Sequence, residues 1–137
     1  MADSDPWKAI QNGDYSSVEE IWLPRAEKGD VEAQLFLGHV ESIRNQHSEA
    51  ARWYRLAAVK GSAVAQALLA NQYLSGNGVA ANTLKAYALY DLAASQGHLN
   101  ATKARDLIAS QLSDEQLGQA IELTESWKRD GLLQGID

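Results

Sequence analysis

Three histidines, two adjacent carboxylate pairs and one glycine-rich stretch are the residues of this 137-residue chain that could do chemistry. The histidines are His39, His47 and His98, and their spacing matches neither a zinc site nor an acid–base pair with convergent partners. The sequence has no cysteine, which excludes a disulfide, a thiolate metal site and a catalytic thiol. We therefore predict no enzyme activity, no metal and no cofactor.

The carboxylate pairs and the glycine-rich stretch have simpler structural interpretations. Glu19-Glu20 and Asp114-Glu115 are adjacent pairs on predicted helices, where neighbouring side chains point apart and where acids favour the helix start. The stretch from Ser75 to Val79 reads SGNGV; it lacks the lysine and hydroxyl pair of a phosphate-binding loop and follows no predicted strand. Left-handed glycines explain it as a turn between helices.

The chain repeats itself, and this decides the predicted fold. The stretch Glu49–Gln66 reads EAARWYRLAAVKGSAVAQ; KAYALYDLAASQGHLNAT follows it 36 residues later, and SVEEIWLPRAEKGDVEAQ precedes it by 32 residues. Self-similarity at a period of 20 to 50 residues indicates a solenoid of stacked units. Each copy contains a helical run that ends at a glycine, namely Gly29, Gly61 or Gly97, followed by a second helix.

These stops predict the helices. A short helix ends near Gln11 and a second begins near Tyr15; Pro24 falls within the second helix and should bend it. The next helices are expected at about Val31–Ser42, Ser48–Lys60, Ala63–Ser75, Thr83–Gln96 and Leu99–Gln111. His47 is thereby assigned to a loop, and His98 to a helix start.

The final helix is predicted from a capping box at Ser113-Asp114-Glu115-Gln116. Its inner face should hold Leu117, Ala120, Ile121, Thr124 and Trp127. In the helix near residues 48–60, helical spacing turns Trp53, Leu56, Ala57 and Val59 inward, and Arg52 and Arg55 outward. The four tryptophans are expected in the core, and the tail from Gly131 to Asp137 is expected to fray.

The residues of the copy from Ala65 to Gly97 resemble the SEL-one-like repeat, a relative of the tetratricopeptide repeat. The matching positions are Ala65, Leu69, Tyr73, Gly76-Asn77-Gly78-Val79, Asn82, Lys85-Ala86, Tyr90, Ala93-Ala94 and Gly97. The copy from Ala33 to Gly61 matches less fully, lacks the G-x-G-V loop and is four residues shorter between its helices. The resemblance covers nearly the whole chain.

The predicted fold class is therefore all-α: a right-handed α-α superhelix, or solenoid of helical hairpins, with a C-terminal capping helix. Residues 1–137 are expected to form a single domain. It would contain a degenerate N-terminal repeat at about 5–29, repeats at about 30–61 and 62–97, and a cap at about 98–130. A solenoid of this kind has about seven or eight helices around a concave face.

Composition limits the surroundings and the partners. No apolar run approaches the ~18 residues of a membrane span, and the acidic, polar start differs from a signal peptide, so we expect a cytoplasmic, bacterial-type protein without membrane contact. The net charge of −6 argues against nucleic-acid binding. Residues 51–100 carry four basic and one acidic side chain, whereas residues 1–50 carry four basic and ten acidic ones. This basic band either reflects ordinary variation of repeat surfaces or favours an acidic partner.

The resemblance implies a non-enzymatic adaptor that binds a partner protein or peptide on its concave face. The alternative is a dedicated regulator, or antitoxin- or immunity-like inhibitor, of a single cytoplasmic partner; a small enzyme and a structural oligomer are remote alternatives, and a monomer is favoured. By analogy with tetratricopeptide-like hairpins, the first helix of each repeat should line the groove. The residues predicted to face a partner are Leu35, His39, Ser42, Val64, Ala67, Asn71, Leu74 and Lys103; alternatively, they only fill space between successive first helices.

Overall fold

A computed structural model describes residues 5–132, which form eight α-helices and no strand. The helices are α1 Pro6–Gln11, α2 Tyr15–Glu27, α3 Val31–Ile43, α4 His47–Val59, α5 Ala63–Ser75, α6 Thr83–Ser95, α7 Leu99–Gln111 and α8 Asp114–Asp130. The chain is an α-α superhelical solenoid, as predicted. Every predicted helix is present with bounds that agree to within one residue, but His47 is the first residue of α4 rather than part of a loop.

The helix ends follow from residues that satisfy free backbone groups. Asp30, Ser62 and Asn82 each accept a hydrogen bond from the backbone N–H three residues further on. His98 caps α7 in the same way, because its Nδ1 accepts from the N–H of Ala101 at 3.0 Å. The capping box of α8 has both of its hydrogen bonds, between Ser113 and Gln116. Local chemistry thus defines most of the boundaries.

Glycines in the left-handed region separate the hairpins. Gly29, Gly61 and Gly97 have φ of +96°, +96° and +89° and stand between α2 and α3, α4 and α5, and α6 and α7. A side chain with a Cβ rarely adopts this backbone conformation. The predicted glycine stops are confirmed.

Small residues let the paired helices pack closely. Ala50, Ala57, Ala65, Ala86 and Ala93 are fully buried where α3 packs on α4, α4 on α5 and α5 on α6. One apolar cluster runs from α4 to α8, and a second joins α1, α2 and α3 with Trp53 of α4. Each hairpin therefore buries its apolar faces against its neighbours, as expected in a repeat protein.

Helix α8 packs chiefly on α6 rather than on α7, which precedes it in the chain. Trp127, Thr124 and Ala120 of α8 are buried, as predicted, whereas Ile121 is 43% exposed and that prediction is wrong. Helical spacing placed Ile121 near the edge of the inner stripe, and the packing leaves that position partly uncovered. The capping helix thus closes the second helix of the preceding repeat.

Four further predictions about exposure are wrong, because exposure depends on how neighbouring helices pack and not only on helical spacing. Leu56 is 42% exposed on α4, and Trp7 lies half-exposed on α1. Arg55 is partly buried, and its Nε makes no hydrogen bond within residues 5–132. Leu132 is buried in the large core cluster rather than frayed. Gly131 is the C-cap of α8, and residues 133–137 of the predicted tail lie outside the described residues.

Helix α2 continues through Pro24. The bend that Pro24 is expected to cause, at Ile21 to Trp22, stays a prediction. Within residues 5–132, no helix has both the length and the apolar character needed to cross a bilayer.

Candidate functional site

The first helices of successive hairpins carry polar residues at one equivalent position. His39 on α3, Asn71 on α5 and Lys103 on α7 are each 32 residues apart. His39 is half-buried, and the other two are exposed. We call the surface that α3, α5 and α7 form with these residues the first-helix face.

A buried tyrosine of the second helix supports each of the first two positions. The Tyr54 hydroxyl on α4 lies 3.3 Å from His39 Nδ1, and the Tyr90 hydroxyl on α6 donates to Asn71 Oδ1. Burial raises the pKa of Tyr54 to about 12 and also raises the pKa of Tyr90. Burial lowers the pKa of His39. Both tyrosines and His39 are therefore neutral at neutral pH, so these contacts join uncharged groups.

A pocket of about 190 Å³ opens between the two complete repeats. The pocket lies between the end of α3 and α4 on one side and α5 with its following loop on the other. Its lining residues are Ser42, His47, Tyr54, Leu68, Asn71, Gln72, Ser75 and Asn77. Two residues predicted to face a partner, Ser42 and Asn71, therefore share one pocket.

The glycine-rich loop after α5 builds one side of this pocket. Gly78, at φ +77°, lies so close to the start of α4 that a Cβ would stand 2.3 Å from the carbonyl oxygen of His47. Gln72 Nε2 donates to the same carbonyl oxygen at 3.0 Å. The loop thus packs against the start of α4 in the preceding repeat, in agreement with its interpretation as a turn.

We compared the chain with known proteins. No family model matches the chain, and no curated protein matches it. Among solved structures, it is similar to c5321, a protective antigen present in uropathogenic Escherichia coli strains that displays an SLR fold, with 30% identity, a TM-score of 0.74 and coverage of 80% of this chain. It is also similar to a Sel1 repeat protein from Oxalobacter formigenes, with 28% identity, a TM-score of 0.57 and coverage of 74% of this chain.

The chain has the SEL-one-like repeat fold. The predicted resemblance is confirmed by both solved structures, which are SLR proteins. The match spans 25% of the Escherichia coli chain and 95% of the Oxalobacter formigenes chain.

This SEL-one-like repeat chain distributes its predicted partner-facing residues unevenly. Val64, Asn71, Leu74 and Lys103 are exposed; Leu35, His39 and Ser42 are partly buried; Ala67 is buried. Leu35 packs on the large core cluster, which also contains Ala67. The exposed members offer most of the surface, and the assignment of a partner to them stays a prediction.

Sequence reasoning missed three groups of this SEL-one-like repeat face. The ring of Trp7 from α1 stands edge-on to Phe36, with centroids 5.2 Å apart, and 6.4 Å from His39. Tyr54 and Gln72 line the pocket without having been singled out for it. The signal in the sequence was the alignment of Tyr54 with Tyr90. Two tyrosines at equivalent repeat positions indicate that each contacts the first helix of its own repeat.

The pocket offers hydroxyl, amide and imidazole groups for hydrogen bonds, together with apolar contacts. Within residues 5–132, no three histidines or carboxylates come together as metal ligands would. The lining of the 190 Å³ pocket contains no Asp, Glu, Lys or Arg. A larger pocket of about 590 Å³ lies between α1 and α2, and its lining includes none of the predicted partner-facing residues. The lining of the 190 Å³ pocket suits recognition of a polar group.

Proposed function

We propose that the chain is a non-enzymatic adaptor that binds a partner protein or peptide on the first-helix face. The observation that carries the proposal is the polar pocket between the two repeats, flanked on the same helix by exposed Leu74. Interfaces gain affinity from a few apolar anchors, while well-placed polar groups add specificity. Both kinds of group are available here on adjoining turns of α5.

The fold supports the same proposal. Stacked helical hairpins build an extended surface from many short segments, and such surfaces are used for binding. Fold alone does not determine function, so the experiment must test the face itself. Leu74 and Leu56 form a matched pair for this purpose, since they are 47% and 42% exposed, on a first helix and on a second helix respectively.

The test begins with capture of partners from the source cell on the immobilised chain, with identification by mass spectrometry. Calorimetry then measures the affinity of the purified partner for the wild type, for Leu74→Ala and for Leu56→Ala. We expect Leu74→Ala to weaken binding by about tenfold or more, as at an interface anchor. Leu56→Ala should leave the affinity unchanged.

The reverse result would refute the proposal. If Leu56→Ala weakens binding and Leu74→Ala does not, the partner binds the second helices. Both variants should melt near the wild-type temperature, because neither leucine belongs to the buried core. A thermal scan checks this before any affinity is compared.

A further inference from the structure

The N-terminal end of the solenoid exposes an apolar position that the later repeats bury. Ile21 on α2 is equivalent to Trp53 on α4, 32 residues further on, and to Leu89 on α6, another 36 residues on. Ile21 is 54% exposed, whereas Trp53 and Leu89 are buried. Trp53 belongs to the apolar cluster that contains Val18 and Ala26 of the preceding hairpin. Within residues 5–132, α1–α2 is the first hairpin, and Ile21 has no such cover.

A pocket of about 590 Å³ adjoins Ile21 between α1 and α2. A space of this size holds several side chains. Helix α2 itself packs on α3 and shares an apolar cluster with Trp53 of α4. A further helix in the pocket would take the same position relative to α1 and α2. Its apolar contacts would come from Ala9, Val18, Ile21 and Trp22.

Charged side chains in the lining determine which kind of helix the pocket accepts. The pocket is lined by three acidic residues and one basic residue, namely Asp5, Asp14, Glu20 and Lys8. Hydrogen bonds from the side chain and the backbone N–H of Ser17 lower the pKa of Asp14, which is therefore ionised at neutral pH. Glu20 is exposed and forms no ion pair within residues 5–132. A partner with basic side chains complements this lining.

A second copy of the chain supplies these basic side chains poorly. Two N-terminal ends would bring the same acidic linings together, and residues 101–137 carry four basic and seven acidic side chains. Like charges across an interface weaken association. The basic band has one exposed large apolar residue on α4, Leu56, which is too small to fill the pocket. Residues 1–4 contain Asp3 and neither Lys nor Arg.

We propose that the pocket between α1 and α2 binds an amphipathic, basic helix of a partner protein. The apolar face of that helix packs on Ile21 and Trp22, and its lysine or arginine side chains approach Glu20 and Asp14. Apolar anchors three or four residues apart are the usual pattern for a helix bound in a groove. The pocket shares no residue with the predicted partner-facing set, so the proposal does not depend on the adaptor face. It gives the chain a second binding surface.

Fluorescence anisotropy with the full chain tests the proposal. The probe is a labelled synthetic helix as long as α2, with leucines at every third or fourth position and lysines beside them. Two matched probes replace the lysines by glutamate or the leucines by serine. We expect saturable binding of the first probe, and binding of the other two that is weaker by about tenfold or more. Equal binding of the three probes would overturn the proposal.

Two pairs of variants separate the pocket from the rest of the surface. Ile21→Ser should weaken binding of the basic probe by about tenfold, whereas Ile121→Ser, at a similarly exposed isoleucine of α8, should not change it. Glu20→Lys should weaken binding of the basic probe and strengthen that of the acidic probe. Glu122→Lys makes the same charge change at an exposed position of α8 and should do neither. All four positions are exposed, and a thermal scan checks that each variant is folded.

Two results would move the binding elsewhere and overturn the proposal. If Leu74→Ala weakens binding of the basic probe and Ile21→Ser does not, the probe binds the first-helix face. If the wild-type chain self-associates in sedimentation velocity and Ile21→Ser abolishes this, the occupant is a second copy. A monomeric chain whose affinity for the probe falls only with the changes at Ile21 and Glu20 supports the proposal.

Discussion

The two complete repeats, α3–α4 and α5–α6, share one construction and differ in the residues that complete it. In each, a buried tyrosine of the second helix contacts a polar residue of the first: Tyr54 reaches His39, and Tyr90 reaches Asn71. A titratable ring thus stands in one repeat where an amide stands in the other. Both repeats have the tyrosine contact, but only the contact to His39 includes a group that titrates near neutral pH.

The junctions that follow each hairpin differ in the same manner. Gln34 and Gln66 are buried equivalents that each donate to the carbonyl eight residues earlier. At the later junction Gln96 Nε2 donates to Gln66 Oε1 at 3.1 Å. At the earlier one Lys60 takes the equivalent place and donates to the carbonyl of Gly29 instead, so Gln34 Oε1 makes no hydrogen bond within residues 5–132. Equivalent positions can therefore be satisfied to different degrees.

The largest expected effect comes from the helix that covers only one of the repeats. Helix α8 packs on α6, and Leu92 of α6 is partly buried where the aligned Leu56 of α4 is exposed. Ending the chain after Leu112 removes the buried Trp127 and Thr124 and uncovers α6. We expect a loss of at least ~5 kcal/mol, comparable to the total stability of a small domain, or aggregation. Urea unfolding with light scattering measures both.

An unchanged melting temperature and a monomeric truncated chain would contradict the capping role of α8. Such a result would mean that α6 is as stable uncovered as α4 is with Leu56 exposed. Covering α6 by α8 would then contribute nothing to the free energy of unfolding.

The next effect concerns the loop that only the second repeat possesses. Gly78→Ala places a Cβ against the backbone of His47 and Ser48 at 2.3–2.8 Å, in a left-handed conformation. We expect a loss of about 3 kcal/mol, combining the backbone strain with overpacking. Gly61→Ala is the control, since its φ of +96° is also positive but its Cβ meets open space, and it should cost about 1 kcal/mol. Equal losses in chemical denaturation would show that the close contact between the loop and α4 does not affect the cost of the added Cβ.

A smaller effect tests why one repeat has a glycine where the other has an alanine. Gly38 on α3 faces the ring of Tyr54, which a Cβ would approach to 2.3 Å, whereas Ala70 stands at the equivalent place on α5. Gly38→Ala should lower the free energy of unfolding by about 1–2 kcal/mol, because overpacking exceeds the gain in helix propensity. Gly118→Ala, in open space on α8, should raise it by about 0.5–1 kcal/mol. Stabilisation by both substitutions in thermal unfolding would contradict the close contact with Tyr54.

Sequence reasoning recovered the helices because their limits are local. Asp30, Ser62 and the glycine stops act on backbone groups within one turn, so their chemistry can be predicted without a neighbour. The four-residue difference between the inter-helix turns, three residues after α3 and seven after α5, is also confirmed. Both results depend only on the order of residues along the chain.

What sequence reasoning missed depends on contacts between elements. Leu56 and Ile121 were assigned inward by helical spacing, but their exposure is decided by where α8 packs. The pocket requires the SGNGV loop to return to His47, a contact that no spacing within α5 or α6 encodes. The surroundings of the candidate site were therefore harder to predict than its first-helix positions.

The smallest expected effect exchanges the one titratable residue of the comparison. Burial lowers the pKa of His39 below its ordinary value of 6.5, so the unfolded chain takes up the proton first as the pH falls. His39 therefore makes the free energy of unfolding decrease from about pH 6.5 down to its pKa in the folded state. His39→Asn installs the residue of the second repeat and should remove this decrease. Urea unfolding of both proteins at pH 8.0 and pH 5.5 measures it.

The difference between the two proteins isolates His39 from other groups that titrate. Burial raises the pKa of Glu41, but this carboxyl group is present in both proteins and contributes to both curves. The reverse exchange, Asn71→His, should add little pH dependence to the second repeat, because position 71 is exposed. Parallel curves for the wild type and His39→Asn would show that the ring is hydrated in the folded chain, and the two repeats would then respond alike to acid.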